Sequence, residues 1–221
     1  MNAFVVFCVH PEGPFAIDID AAPRFRAAFL DYTGSGFVPD CTLTSTSRWS
    51  TVTHGKGRGI AHVAQHAPQD FDYIAVLDDD VSLRISDINR LLFLGRLHQL
   101  DIFQPSLSHE SPTSFPHLRN RPGFSVVATN FVEVMAPFFS RRAFEMSRDL
   151  FDQSISGWGM DIVWSDRMIK KGGKLGVIHE VVASHLRPHN SQHWTLPNGE
   201  TPKAEMIRLM KANGLDHYEV R

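Results

Sequence analysis

The sequence has few cysteines and no excess of positive charge. Only two cysteines, Cys8 and Cys41, occur in 221 residues; two are too few for a disulfide framework, and their spacing matches no zinc-binding pattern. We therefore expect free thiols and a reducing, cytoplasmic location. The formal net charge is −2 at pH 7, so electrostatics gives no reason to expect nucleic acid as a partner.

Long apolar runs are also absent from the sequence. No segment approaches the roughly 20 apolar residues of a transmembrane helix, although peripheral contact with a membrane-borne substrate stays compatible with the sequence. The start, MNAFVVFCVHPEG, has no cationic region before its short apolar run, which indicates a first strand and not a signal peptide. A length of 221 residues predicts one domain over residues 1–221, and 43% hydrophobic residues are enough for its core. The amphipathic stretch TPKAEMIRLMKANGL predicts a helical tail over about 195–221.

The order of apolar patterns predicts an α/β fold. Residues 73–77 are almost wholly apolar, as expected for a strand in a sheet that is covered on both faces. Helical spacing is clear over residues 86–100, and it also occurs over residues 21–32, which we expect to form a helix. Residues 174–178 and 180–187 predict two short strands. Strands that alternate with helices predict a largely parallel central sheet flanked by helices.

The stretch YIAVLDDDV, residues 73–81, places three aspartates at the end of a predicted strand. Ligands in open parallel sheets collect at the carboxyl ends of strands. A hard cation such as Mg²⁺ or Mn²⁺ commonly bridges one or two carboxylates to substrate phosphates, so Asp78, Asp79 and Asp80 are candidates for a metal and nucleotide site. The alternative is that they cap the next helix or line a solvated turn.

The stretch SGWGMD, residues 156–161, places two glycines around a tryptophan just before a predicted helix. Such a turn exposes the aromatic face of Trp158, which suits the apolar face of a sugar. Asp161 beside it could remove a proton from an incoming hydroxyl group. The alternative is that Asp161 is the N-cap of the helix and Trp158 is a packing residue.

Two further stretches add a histidine and several cations. In VVASHLRPHN, His185 ends an apolar strand and is a plausible ligand for Mn²⁺ beside carboxylates, while Arg187 could pair with a phosphate oxygen. In GKGRG, residues 55–59, Lys56 and Arg58 lie on a glycine-rich backbone that could approach a phosphate, although the spacing is not that of a P-loop. A hydrogen-bonded strand histidine is the alternative for His185.

Five strings that follow one another along the chain carry a family resemblance. They are YIAVLDDDV, IFQPSLS, NFVEVMAPFFSRRAF, SGWGMDIVW and LGVIHEVVASH, and with Lys56 they span about residues 56–187. In this order they resemble a GT-A type glycosyltransferase. More closely, they resemble a family of plants and bacteria that is catalogued as a domain of unknown function and regarded as GT-A-like. The resemblance implies a GT-A-like nucleotide-sugar-binding fold.

The same resemblance implies roles for the acidic triplet and for a late histidine. In the GT-A class an Asp-x-Asp motif holds the nucleotide sugar and its metal ion. Asp80 would be the direct metal ligand, Asp78 would meet the ribose or the metal shell, and Asp79 would occupy the variable middle position. His185 matches the histidine that often completes the metal site.

Roles for the remaining site residues follow in the same way. Asp161 matches the catalytic base of inverting members, and Lys56 would lie near the donor. Many inverting relatives carry Glu-Asp in the Gly-Trp-Gly turn, whereas this chain has Met160 at the first of these two positions. Glu133 is therefore an alternative base, unless it pairs with an arginine of the segment 141–142.

The resulting expectation is a metal-dependent glycosyltransferase. It would move a sugar from a nucleotide sugar, a UDP-sugar by preference, to a glycan or other hydroxyl acceptor with inversion, using Mn²⁺ or Mg²⁺. A metal-dependent hydrolase of a sugar or phosphate ester is one alternative. A non-catalytic protein that binds nucleotides or carbohydrates is another.

Overall fold

The computed structural model describes residues 2–187 and 194–220, and these form ten strands and five α-helices. The strands are β1 (Ala3–Val9), β2 (Ile17–Asp18), β3 (Arg26–Asp31), β4 (Ser45–Ser50), β5 (Tyr73–Leu77), β6 (Val81–Arg84), β7 (Ile102–Leu107), β8 (Val126–Ala128), β9 (Phe138–Ser140) and β10 (Leu175–His185). The helices are α1 (Lys56–His66), α2 (Ile85–Leu97), α3 (Arg141–Phe151), α4 (Met160–Lys170) and α5 (Pro202–Ala212). In the described ranges, no helix has the length and apolarity to cross a bilayer.

The strands form one mixed sheet in the order β2-β6-β10-β7-β9-β5-β1-β3-β4, and β8 pairs with β10 beside this path. Strands β4, β3, β1 and β5 are parallel neighbours, as are β7 and β10. Because β9 is antiparallel to both β5 and β7, these two groups point the same way. The predicted α/β fold with a largely parallel sheet is confirmed, and the carboxyl ends of β1, β3, β5 and β10 share one edge.

Each face of the sheet carries its own apolar core. In β1, Ala3, Val5 and Phe7 point into one core, whereas Phe4 and Val6 point into the other, as the two-residue period of a strand requires. Helix α2 packs on the first face, and α1, α3 and α4 pack on the second. The nearly uniform apolar sequence of the central strands follows from this double coverage.

Two local predictions are wrong. The helix expected over residues 21–32 is instead strand β3, which pairs with β1 on one side and β4 on the other. Its residues from Ala27 to Asp31 are all buried, and a short run that is apolar on both faces mimics helical spacing. The two short strands expected over 174–187 are one strand, β10, whose register against β7 shifts between Ile178 and Val182.

The contact between α2 and the sheet requires a glycine. A Cβ atom added at Gly95 would lie 2.2 Å from the ring of Phe103. That ring is fully buried and stacks on Phe138 with the ring centroids 5.2 Å apart, so it has no room to move away. By contrast, a Cβ added at Gly59 in α1 would meet its nearest neighbour, Leu30 Cδ2, at an ordinary 3.6 Å.

These two helical glycines form a matched pair for a stability test. We expect Gly95→Ala to lower the free energy of unfolding by about 1–3 kcal/mol, because overpacking outweighs the better helix propensity of alanine. Gly59→Ala should raise it by about 0.5–1 kcal/mol. Urea unfolding followed by circular dichroism measures both. Shifts of the same sign in the two variants would contradict this account of the packing.

Candidate active site

The three aspartates lie in a tight turn where β5 ends and β6 begins. The amide of Asp78 donates to the carbonyl of Met135 at 3.0 Å, and the amide of Val81 donates to the carbonyl of Asp78 at 3.3 Å. Asp80 is buried, with 9% of its surface exposed, and the other two aspartates are half-buried. The turn therefore holds three adjacent carboxylates largely out of water, where uncompensated charge is costly.

Cations from two distant segments compensate these carboxylates. Lys56, the first residue of α1, forms an ion pair with Asp78 and also donates to the carbonyl of Val76 at 3.0 Å. Arg187 forms ion pairs with Asp79 and, through Nε at 3.2 Å, with Asp80. Lys56 and Arg187, two of the three cations predicted to lie near a phosphate, thus converge on the acidic turn. Asp78, Asp79 and Asp80 do not cap helix α2, whose N-cap is Arg84.

His185 lies where β10 ends and faces the same turn. Its Nε2 is 3.3 Å from Asp80 Oδ2, and its Nδ1 is 3.2 Å from the carbonyl of Pro112. A backbone carbonyl on the second ring nitrogen is the usual support of a metal-binding histidine. Burial lowers the pKa of His185, but the hydrogen bond and charge of Asp80 raise it more, to about 8.

Burial and mutual repulsion also shift the pKa values of the acidic groups. Burial is the largest cause that raises the pKa of Asp78, and with Asp80 and Asp79 it outweighs Lys56 and brings the pKa to about 6. For Asp80, burial acts in the same direction, but His185 and Arg187 together leave its pKa below the usual value. Asp80 therefore stays ionised more readily than Asp78.

Asp161 and Trp158 lie on the other side of the turn, at the start of α4. Gly157 and Gly159 have φ angles of 95° and 84°, in the left-handed region that favours glycine. Gly159, and not Asp161, is the N-cap of α4, although Asp161 Oδ1 accepts the amide of Ile162 in the first turn at 2.9 Å. Asp161 is buried, and burial raises its pKa to about 7 although backbone amides, first that of Ile162, oppose the shift.

Glu133 faces the same space as Asp161. It is 5% exposed, and burial followed by the charge of Asp161 raises its pKa to about 8. The predicted alternative that Glu133 pairs with Arg141 or Arg142 is wrong. Arg142 instead lies 3.6 Å from Asp101, and Arg141 lies over the ring of Phe71.

Two cavities meet at the acidic turn. The first, which we call the β3 cavity, has a volume of about 400 Å³ and is lined by Cys8, Leu30, Tyr32, Val52, Thr53, His54, Gly55, Gly59 and Asp79 besides the shared residues. The second, the α4 cavity, has about 430 Å³ and includes Glu133, Trp158, Asp161, His185, Arg187 and Met206. The shared walls are Lys56, Asp78, Asp80, Ser156 and Trp194. A groove of about 540 Å³ beside α2 contains no acidic or histidine side chain among its lining residues.

The side chains at the turn fit a cation that completes its shell with substrate oxygens. Within residues 2–187 and 194–220, no group of three histidine, cysteine or acidic side chains is arranged to hold a metal ion. Asp80 and His185 offer one oxygen and one nitrogen ligand at one point. Mg²⁺ and Mn²⁺ are often held by one or two protein ligands together with phosphate oxygens and water.

Some residues of the site were not predicted, and one predicted contact is absent. Tyr32, which directly follows β3, lies close enough to Asp79 and Arg187 for their charges to act on its hydroxyl group. The sequence analysis missed it because residues 21–32 were expected to form a helix. Trp194 lies on both cavities. Arg58 does not reach the acidic turn, because its guanidinium donates to the carbonyl of Asp152 in a separate groove.

The comparisons with known proteins bear on the fold. No protein-family model matches the sequence, and no curated protein matches it. The structure is similar to that of GalNAc-T7 with UDP, GalNAc and Mn²⁺ (TM-score 0.63, 13% identity, 95% of this chain and 48% of that chain). It is also similar to S. aureus TarS 1–349 in complex with UDP-GlcNAc (TM-score 0.58, 9% identity, 96% of this chain and 65% of that chain). The complex of TarS 1–349 with UDP gives a TM-score of 0.58 at 10% identity, over 99% of this chain and 68% of that chain.

This chain spans about half the length of GalNAc-T7. At 9–13% identity, these similarities establish the fold alone. The fold of this chain is GT-A-like, a curled mixed sheet flanked by helices, as the sequence motifs led us to expect.

Proposed function

We propose that this chain is a metal-dependent glycosyltransferase that moves a sugar from a UDP-sugar to a hydroxyl acceptor with inversion. The observation that carries the proposal is the meeting of two cavities at one acidic turn, where Asp80 lines both cavities and has His185 beside it. A hydrolase needs room for one substrate and water, whereas a transferase needs room for a donor and an acceptor. The GT-A-like fold, shared with GalNAc-T7 and TarS, supports the same reaction class.

The β3 cavity is the proposed donor site. It lies at the carboxyl ends of β1, β3 and β5, the usual ligand position in such sheets. Asp80 and His185 would hold Mn²⁺ or Mg²⁺, which supplies charge stabilisation to the leaving diphosphate. Lys56 and Arg187 would balance the negative charge of the leaving diphosphate. Asp78 and Asp79 hold these two cations in place through ion pairs.

The α4 cavity is the proposed acceptor site. An acceptor hydroxyl oxygen would attack the anomeric carbon of the sugar, and the bond from that carbon to the diphosphate oxygen would break. Asp161 would take the hydroxyl proton as the new glycosidic bond forms. The flat face of Trp158 would pack on the acceptor or the transferred sugar, and attack from the side opposite the diphosphate inverts the anomeric carbon.

Loss of the carboxylate at Asp80 should abolish metal-dependent nucleotide binding. For the unchanged protein, saturating UDP with Mn²⁺ should raise the melting temperature by about 5–10 °C, because ligand at 100 times its dissociation constant adds about 2.7 kcal/mol. Asp80→Asn should lose most of this rise. Asp149→Asn, which removes an exposed carboxylate paired with Arg167, should retain it and serves as the control. A full shift in Asp80→Asn would contradict the assignment of Asp80.

The proton-accepting role of Asp161 makes a separate prediction for the rate. Asp161→Asn should lower kcat by about 10²–10⁴-fold while UDP binding with Mn²⁺ is retained. Because burial raises the pKa of this carboxyl to about 7 and the base must be ionised, the rate of the unchanged protein should rise with pH through about 7. Initial rates with a UDP-sugar panel from pH 5.5 to 9 measure both effects. Full activity in Asp161→Asn would instead point to Glu133.

A further inference from the structure

A buried carboxylate outside the two cavities holds the loop that separates them. Glu205 of α5 has no exposed surface. It accepts hydrogen bonds from Ser154 Oγ at 2.7 Å, the amide of Ile155 at 2.8 Å, the amide of Ser156 at 2.9 Å and Ser156 Oγ at 2.6 Å. Four donors from three consecutive residues fix this segment to α5, and charge-assisted bonds of this kind are among the strong ones.

The two serines pass this constraint on to the Gly-Trp-Gly turn. Ser154 Oγ, which donates to Glu205, also accepts from the amide of Gly157 at 2.9 Å. Ser156 Oγ likewise donates to Glu205 and accepts from the amide of Trp158 at 3.1 Å. With both hydroxyl protons directed at the carboxylate, the serine oxygens are oriented to receive the two amides that begin the turn before Asp161.

The same segment packs against the start of α1 on the donor side. The carbonyl of Ile155 accepts the amide of Arg58 at 3.3 Å. A Cβ at Gly55 would lie 2.5 Å from that carbonyl oxygen, and a Cβ at Gly57 would lie 2.6 Å from the carbonyl oxygen of Ser154. The two glycines therefore allow the loop to touch the backbone on either side of Lys56.

Helix α5 also contacts the turn directly. A Cβ at Gly159 would lie 3.0 Å from Met206 Cα, so the helix backbone leaves room there for glycine alone. Met206, the neighbour of Glu205, lines the α4 cavity. The C-terminal helix is thus a wall of this cavity as well as the source of the buried carboxylate.

We infer that Glu205 is a positioning residue that sets Lys56 on the donor side and Asp161 on the acceptor side relative to each other, through the segment Ser154–Ser156. As a statement about catalysis this rests on the proposed function. The mechanical coupling of the two segments stands without it. A displacement of about 1 Å in a reacting group is enough to cost about 100-fold in rate, so a carboxylate that touches no substrate still acts on the chemistry.

Backbone hydrogen exchange of the full-length protein tests the coupling without any assay of transfer. Glu205→Gln keeps the side-chain volume, but its NH2 group must face either the amide of Ile155 or the donors of Ser154 and Ser156, so one of the two sets loses its acceptor. We expect at least tenfold faster exchange in both segments, 55–59 and 154–161, with the rest of the sheet unchanged. The matched control is Glu200→Gln, which removes a part-exposed carboxylate of the same region that pairs with Arg208, and it should leave both segments as they are.

A second variant keeps the test informative if Glu205→Gln does not fold. Ser154→Ala removes one hydroxyl that links Glu205 to Gly157, and it should speed exchange in the same two segments by a smaller factor. In the double variant Ser154→Ala/Glu205→Gln, exchange in the two segments should be no faster than in Glu205→Gln alone, because both changes break the same connection. Faster exchange confined to α5, or spread evenly over the chain, would overturn the inference.

Kinetics separate positioning from simple loss of folded protein. A purely structural role would lower kcat in proportion to the folded fraction and leave KM and the affinity for UDP with Mn²⁺ unchanged. A positioning role should lower kcat by about 10- to 100-fold in fully folded Glu205→Gln and weaken UDP binding at least threefold through Lys56. Unchanged UDP affinity and KM would overturn the inference. If the unchanged protein transfers no sugar, the proposed function fails, while hydrogen exchange still decides the coupling.

Discussion

The site depends on the neutralisation of three adjacent carboxylates that the fold keeps largely out of water. The β5–β6 turn places Asp78, Asp79 and Asp80 side by side, and their repulsion and lost hydration would be prohibitive without partners. Lys56 arrives from the start of α1, and Arg187 arrives from beyond the end of β10. Because the two cations belong to different segments, their ion pairs with the acidic turn connect the start of α1 to the segment that follows β10.

This arrangement explains why the elements around the cleft approach so closely. Helix α1 begins against the segment Ser154–Ser156 with Lys56 paired to Asp78, and the glycines on either side of Lys56 permit that contact. The same segment is held from behind by Glu205 and leads into the turn before Asp161. Lys56 and Asp161 thus lie at two ends of one hydrogen-bonded connection.

The sequence allowed much of this to be predicted where the chemistry is local. An apolar strand that runs into three aspartates identifies a strand end, and parallel strands bring such ends together, so Asp80 and His185 could be expected to meet. Strand β3 was missed because a run buried on both faces carries no distinctive period, and Tyr32 was missed with it. Glu205 was beyond prediction, since a glutamate in an amphipathic helix normally faces solvent and only tertiary packing reveals its partners.

The most direct test of the central claim is a crystal structure of the protein with UDP and Mn²⁺, with anomalous diffraction recorded to locate manganese. The account predicts that the anomalous peak places a manganese ion within bonding distance of Asp80 and His185. The diphosphate of UDP should bind the same manganese ion, and the uridine should lie in the β3 cavity. Manganese absent from this point while UDP occupies the cleft, with Asp80 still paired only to Arg187 and His185, would contradict it.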